Sequence, residues 1–248
     1  MCTRFLLERA AAEAGFKKFG LESLAAAVAK AMDRFNIAPG TDLLALRTGE
    51  KPRTARVFTP RWGFPALASS SSGSLLPAPS APLTNARAET LAQKPTFREA
   101  FRHRRCLIPA TGFYEWEKRG RARLPWLFRR AGAEPFAFAG LWEPHAADGA
   151  PATVIVTTPP NELMAPLHHR MPALLTSADA CRAWLDSTAT ESDLAALLAP
   201  ADAAQMTATP VSPRVNRSDF DSPECILPAI HGLAPRDEDD ADNLALGL

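Results

Sequence analysis

Apolar residues recur at helical spacing near the start of the chain, first at Leu6, Ala10 and Ala14 and then at Leu24, Val28 and Met32, with Gly20 and Ser23 between the two sets. Residues three or four apart share one helix face, so the pattern predicts two short helices behind a short N-terminal strand. From Leu43 onward the period changes. Short apolar runs bounded by turn residues predict strands over 43–46, 55–58, 106–108, 113–116, 135–142 and 154–157. Helical spacing returns over 97–104, 178–185 and 191–198. The class expected is α+β, a single domain with a mostly antiparallel core and peripheral helices.

Two stretches fall outside this patterning. Residues 65–83 include four consecutive serines, Ser69 to Ser72, among prolines and glycines, and predict a mobile loop. Beyond residue 235 the tail, 236–248, carries five acidic residues against one arginine and reads as disordered. The formal charge is +1, so the remaining 1–235 body carries +5. Arginine supplies 22 of the 28 basic residues, and its planar fork suits phosphate.

No apolar run approaches the ~18 residues of a membrane span, and no secretory leader is recognisable, so a soluble, intracellular protein is expected. The four cysteines, Cys2, Cys106, Cys181 and Cys225, form no CxxC pair and suggest neither a disulfide framework nor a zinc site. No Walker A loop, dinucleotide fingerprint, HExxH or GxSxG motif occurs.

The chemistry-bearing candidates begin at Cys2. Methionine is commonly trimmed ahead of a small second residue, which would leave an exposed cysteine with an α-amine and a thiol on one skeleton. With reference pKa values of ~7.7–8.0 and ~8.5, both nucleophiles are partly available near neutrality. Such an aminothiol captures aldehydes, first as an imine and then as a thiazolidine. Asn85 and Arg87 follow the loop, the first suited to hydrogen bonding and the second to phosphate. If 113–117 is a strand, Phe113, Glu115 and Glu117 share one face and Tyr114 and Trp116 the other. Glu115 in apolar surroundings would gain a raised pKa and serve as acid and base. His168 and His169 precede Arg170; on extended chain the two rings are expected to diverge, which disfavours a shared metal.

Taken together, Cys2 with Arg4, Arg34-Phe35-Asn36, Arg61-Trp62-Gly63, Asn85-Ala86-Arg87-Ala88-Glu89-Thr90, Arg105-Cys106, Gly112-Phe113-Tyr114-Glu115-Trp116, Thr157-Thr158, Asn161, His168, Arg170-Met171-Pro172 and Val211-Ser212 resemble the SOS-response-associated peptidase (SRAP) family, in order over residues 2 to about 226. The resemblance implies a β-barrel-like core and a covalent crosslink between Cys2 and abasic sites in single-stranded DNA, in the response to DNA damage. It implies that Asn85 positions the amine, Glu115 assists ring opening and proton transfer, and His168 aids Schiff-base chemistry. It also assigns Arg4, Arg87 and Arg170 to DNA binding and Trp62 to stacking on a base. The protein is then expected to be a cytoplasmic monomer that joins the nucleoid when bound to damaged DNA, with no metal and no organic cofactor. The alternatives are a thiol-dependent peptidase or autopeptidase, and a non-catalytic single-strand binder. Thr3, His169 and the sequence after Phe64 depart from the family pattern.

Overall fold

The computed structural model describes residues 2–49, 54–64, 82–144 and 150–229. The segment read as a mobile loop, apart from its last two residues, and the acidic tail lie outside them.

Strand β1 (Phe5–Leu7) leads into α1 (Arg9–Lys18), α2 (Glu22–Val28) and the short strands β2 (Arg34–Ile37), β3 (Ala45–Thr48), β4 (Ala55–Phe58), β5 (Arg61–Trp62) and β6 (Asn85–Arg87). Helix α3 (Pro95–His103) precedes β7 (Arg105–Ala110), β8 (Gly112–Arg119), β9 (Ala122–Arg130), β10 (Phe136–Glu143) and β11 (Ala152–Thr158). The chain then forms β12 (Met171–Pro172), β13 (Leu174–Leu175), α4 (Ala178–Leu185), α5 (Glu191–Ala196) and β14 (Met206–Pro210).

These strands make two sheets. One runs β14-β9-β8-β1-β2, and the other runs β12-β11-β10-β7-β3-β4, with β13 on β10 and β5 and β6 on β11. All pairings are antiparallel except those of β5 and β6, which lie parallel to β11. The sheets face each other without closing into a continuous barrel, and phenylalanine rings fill the space between them. Phe113 stacks on Phe128 within the first sheet at 5.3 Å and meets Phe136 and Phe138 of the second edge-on. Phe5 of β1 touches Phe138 and Trp62, at 5.3 and 5.4 Å. Burying each such ring contributes ~1.5–3 kcal/mol, and edge-to-face geometry adds to it.

The first helix packs in a different phase from the one its sequence suggests. Leu6 belongs to β1, Ala10 and Ala14 face solvent, and the buried residues of α1 are Ala12 and Phe16. A helix rich in alanine carries little apolar contrast, so the one large ring decides which face turns inward. Met32 is exposed, whereas Leu24 and Val28 are buried as expected. Gly20, at φ +69, makes the break between the helices that a β-carbon would resist.

Two buried polar side chains tie distant segments together. The Arg105 guanidinium donates to the carbonyls of Phe101, Arg102, Trp184 and Asp186, closing the ends of α3 and α4 onto β7. Asn36 donates to the carbonyls of Val215, Arg217 and Phe220, which holds the 215–220 segment against β2. No helix among the described residues is long and apolar enough to cross a membrane.

Candidate functional site

The site is set by the register of β1 on β8. Phe5 pairs with Phe113 and Leu6 with Gly112, and the Tyr114 N–H donates to the Arg4 carbonyl at 3.0 Å. Extending that antiparallel register brings the start of the chain alongside Glu115 and Trp116. Cys2 is completely buried and packs in the main core with Phe5 and Leu7, so it is not the exposed residue that its terminal position suggests. Its thiol donates to the Arg4 carbonyl at 3.8 Å. Burial pushes the thiol pKa far above its usual range, and the Glu115 charge pushes it the same way. The sulfur is therefore S–H at neutral pH.

Asn85 reaches Cys2 from the other sheet. Parallel pairing of β6 with β11 sets Asn85 beside Ile155, and its Nδ2 donates to the Cys2 carbonyl at 3.0 Å and to Thr84 Oγ1 at 2.9 Å. Asn85 Oδ1 is buried and accepts no hydrogen bond among the described residues. An acceptor so placed can receive an N–H from a group entering the site.

Glu115 is 4% exposed. Burial pushes its pKa up to about 7, against the pull of the amino-terminal charge. A carboxyl titrating there is present in both forms near neutrality and can give or take a proton. As the alternation along β8 predicts, Phe113 belongs to the main core and Tyr114 and Trp116 to the smaller cluster on the other face.

His168 stands at the end of a turn organised by Asn161, whose Oδ1 accepts from the Met164 N–H while its Nδ2 donates to the Ala201 carbonyl. His168 Nδ1 is held by the Arg170 backbone, 3.0 Å from its N–H and 3.2 Å from its carbonyl oxygen. Desolvation lowers the pKa of His168, and the amino-terminal charge lowers it further. The His168 and His169 rings do not diverge. The chain turns here instead of running extended, and they stack at 4.4 Å. Cys2, Asn85, Glu115 and His168 thus converge on the amino terminus, from positions far apart in the sequence.

The residues assigned to DNA binding fare differently. Arg87 is exposed, at the end of β6. Arg4 is held internally, donating to Asn36 Oδ1 and to the Val215 carbonyl and lying over the Trp116 ring. Trp62 is 0% exposed, with its Nε1 donating to the Thr84 carbonyl, so neither face is open to a base. Its indole instead fixes the strand entering Asn85. Arg170 is also buried, forking onto both oxygens of Glu89 and donating to the Thr157 carbonyl. The Thr157 bond ties the segment after His168 to β11, and the Glu89 pair ties it to the turn after β6.

A consequence is testable. Arg170→Met is expected to destabilise the fold by ~1–3 kcal/mol, the scale of hydrogen bonds to a charged group, since the half-exposed Glu89 left behind can be hydrated. Thermal or urea unfolding would measure it. Trp126, which no sequence motif marks, is set directly across from Glu115 by the β8–β9 register. The ordering of Arg4 by Asn36 is likewise unmarked, although Asn36 was visible as part of a motif.

Against known proteins, the family model described as SOS response associated peptidase (SRAP) matches residues 1–218. Among relatives, the Bacillus subtilis abasic site processing protein YoqW is 38% identical over 199 residues, covering 77% of this chain and 84% of that protein. Abasic site processing protein YedK of Escherichia coli is 30% identical over 158 residues, covering 61% of this chain and 64% of its own length. Abasic site processing protein HMCES of Gallus gallus is 30% identical over 175 residues, covering 60% and 51%. Among solved structures, a protein from Bacteroides thetaiotaomicron shares the fold at a TM-score of 0.69 and 20% identity, covering 92% of this chain and all of that one. Matched over most of its length and carrying the family's motifs in order, the chain belongs to the SRAP family.

Proposed function

We propose that this chain processes abasic sites by covalent capture in single-stranded DNA, with Cys2 as the nucleophile once Met1 has been removed. The convergence of Asn85 and Glu115 on the Cys2 backbone and thiol carries the reading. The names of the relatives, abasic site processing proteins, support it.

The chemistry follows from the groups present. The Cys2 α-amine attacks the open-chain aldehyde of the abasic sugar and forms a C–N bond. The carbinolamine takes a proton on its oxygen, loses water and, on giving a proton back from nitrogen, becomes an imine. The thiol then adds across the C=N bond, its sulfur to carbon and its proton to nitrogen, closing a thiazolidine with net release of one water. Glu115, near half-protonation at neutral pH, serves both the sugar ring opening and the dehydration. Neutral His168, held through Nδ1 by the Arg170 backbone, assists proton transfer at the imine. Asn85 holds the Cys2 carbonyl and so fixes the direction of the amine.

The test is incubation of the purified protein, with its terminus checked by mass, with a single-stranded oligonucleotide bearing one abasic site. A denaturant-resistant adduct is expected. Its absence from protein with a free Cys2 would move the assignment to thiol peptidase chemistry or plain DNA binding. Salt dependence separates the arginines. Arg87→Ala should lower the slope of log affinity against log salt by ~0.7, the value for one phosphate contact on a single strand, and Arg170→Met should leave it unchanged.

A further inference from the structure

With Trp62 buried, the open aromatic surface beside the site belongs to Trp126. A cleft of about 350 Å³ lies between its indole and the Leu163, Pro166 and Leu167 side chains, with Ala208, Arg119 and Glu117 also lining it. Both walls are continuous with the candidate site. Trp126 pairs across the strands with Glu115, which sets the two about 5 Å apart at Cα. The 163–167 turn runs straight into His168. The indole is held in place, since its Nε1 donates to Glu117 Oε2 at 3.1 Å while Arg119 Nε donates to Glu117 Oε1 at 2.7 Å. The volume is at the low end of the ~300–1,000 Å³ of small-ligand sites, enough for one planar ring system.

The hairpin that carries Trp126 supplies the charge. Lys118, Arg119, Arg121 and Arg123 surround its tip, all exposed. Lys118 sits directly across from Arg123, a like-charged cross-strand pair that opposes the hairpin's own folding. Among the described residues no carboxylate pairs with Lys118, Arg121 or Arg123. With Arg119 paired to Glu117, the three remaining cations form a basic rim beside a largely apolar, aromatic-walled cleft, which is complementary to a nucleotide, whose base is apolar on its faces and whose phosphate is anionic.

We propose that this cleft seats the nucleobase adjacent to the abasic site, stacked on Trp126, with the hairpin's basic side chains on the phosphates of the same flank. The proposal rests on the reading of the chain as a binder of abasic single strands. It places the stacking aromatic on β9, and it predicts that the flanking base on one side of the lesion contributes to recognition while the other does not.

Fluorescence anisotropy would measure binding of labelled single strands bearing a central tetrahydrofuran spacer, which mimics the lesion but cannot open to an aldehyde. In two further oligonucleotides the nucleotide on the 5′ or the 3′ side is also a spacer. The wild-type protein is expected to bind one of these ~5- to ~150-fold more weakly, the range that stacking of one base on an aromatic represents. Trp126→Ala, and Ala208→Phe, which puts a ring into the cleft from the neighbouring strand β14, should bind all three alike. Wild type indifferent to both flanks, or variants that keep the preference, would overturn the proposal. No covalent step enters the measurement. A protein that shows the preference yet forms no adduct with a true abasic site therefore refutes the covalent reading and leaves the base seat standing.

Discussion

Cys2→Ala protein with its Met1 removed is expected to form no denaturant-resistant adduct with an abasic single strand, yet to be trapped on it when borohydride is present. The variant keeps the α-amine and loses only the sulfur, so it still condenses to an imine, which water reverses. Reduction converts that imine to a stable amine. If the wild type resists denaturant without reductant and the variant needs it, the amine makes the first bond and the thiol makes the bond lasting. Equal adduct from both proteins without reductant would remove Cys2 sulfur from the mechanism.

The second large effect concerns Glu115, which is expected to trade stability for reactivity. Its folded pKa of about 7 lies above the ordinary 4.5, so between these values the native state binds more protons than the unfolded one. Stability therefore falls as pH rises through that window, and above it the ionised buried carboxylate costs on the order of 3 kcal/mol. Glu115→Gln cannot ionise. Chemical denaturation should find the variant more stable than wild type at pH 8 by ~1–3 kcal/mol, with the difference narrowing towards pH 5. Its capture rate should drop by ~10²–10⁴-fold, the usual contribution of a general acid-base group. The wild-type rate for the acid-assisted steps should decline above pH 7. A variant less stable at every pH would show that Glu115 is held by its neighbours and not strained by burial.

Much of this was visible in the sequence because it depends on local pattern. The alternation from Phe113 to Glu117 placed Glu115 on the core side of its strand, and β4 and α4 fall where their apolar runs predict. Strand β9 was not legible. Pro125 interrupts it and three arginines lie along it, so its pairing depends on β8 and β14 and not on its own composition. Arg170 and Trp62 show a different limit. An arginine in a motif reads as a phosphate ligand until its partner is known, and Glu89 lies 81 residues away. The indole of Trp62 is claimed by Phe5 and the Thr84 carbonyl, contacts that no spacing rule encodes. The stacked histidines were misread because the extended chain expected ahead of Pro172 is a turn anchored by Asn161.

The buried state of the Cys2 sulfur has a protective side. Peroxides and alkylating agents attack thiolates, and a sulfur kept as S–H in the core offers them almost none. Under the proposed mechanism, the sulfur that would make the crosslink durable is thereby shielded from oxidants. On that mechanism it would become reactive only when a carbonyl already condensed on the neighbouring nitrogen presents it with an intramolecular electrophile. In that arrangement the amine acts as the detector and the sulfur as the latch, and the latch cannot be spent before the detector has found its target.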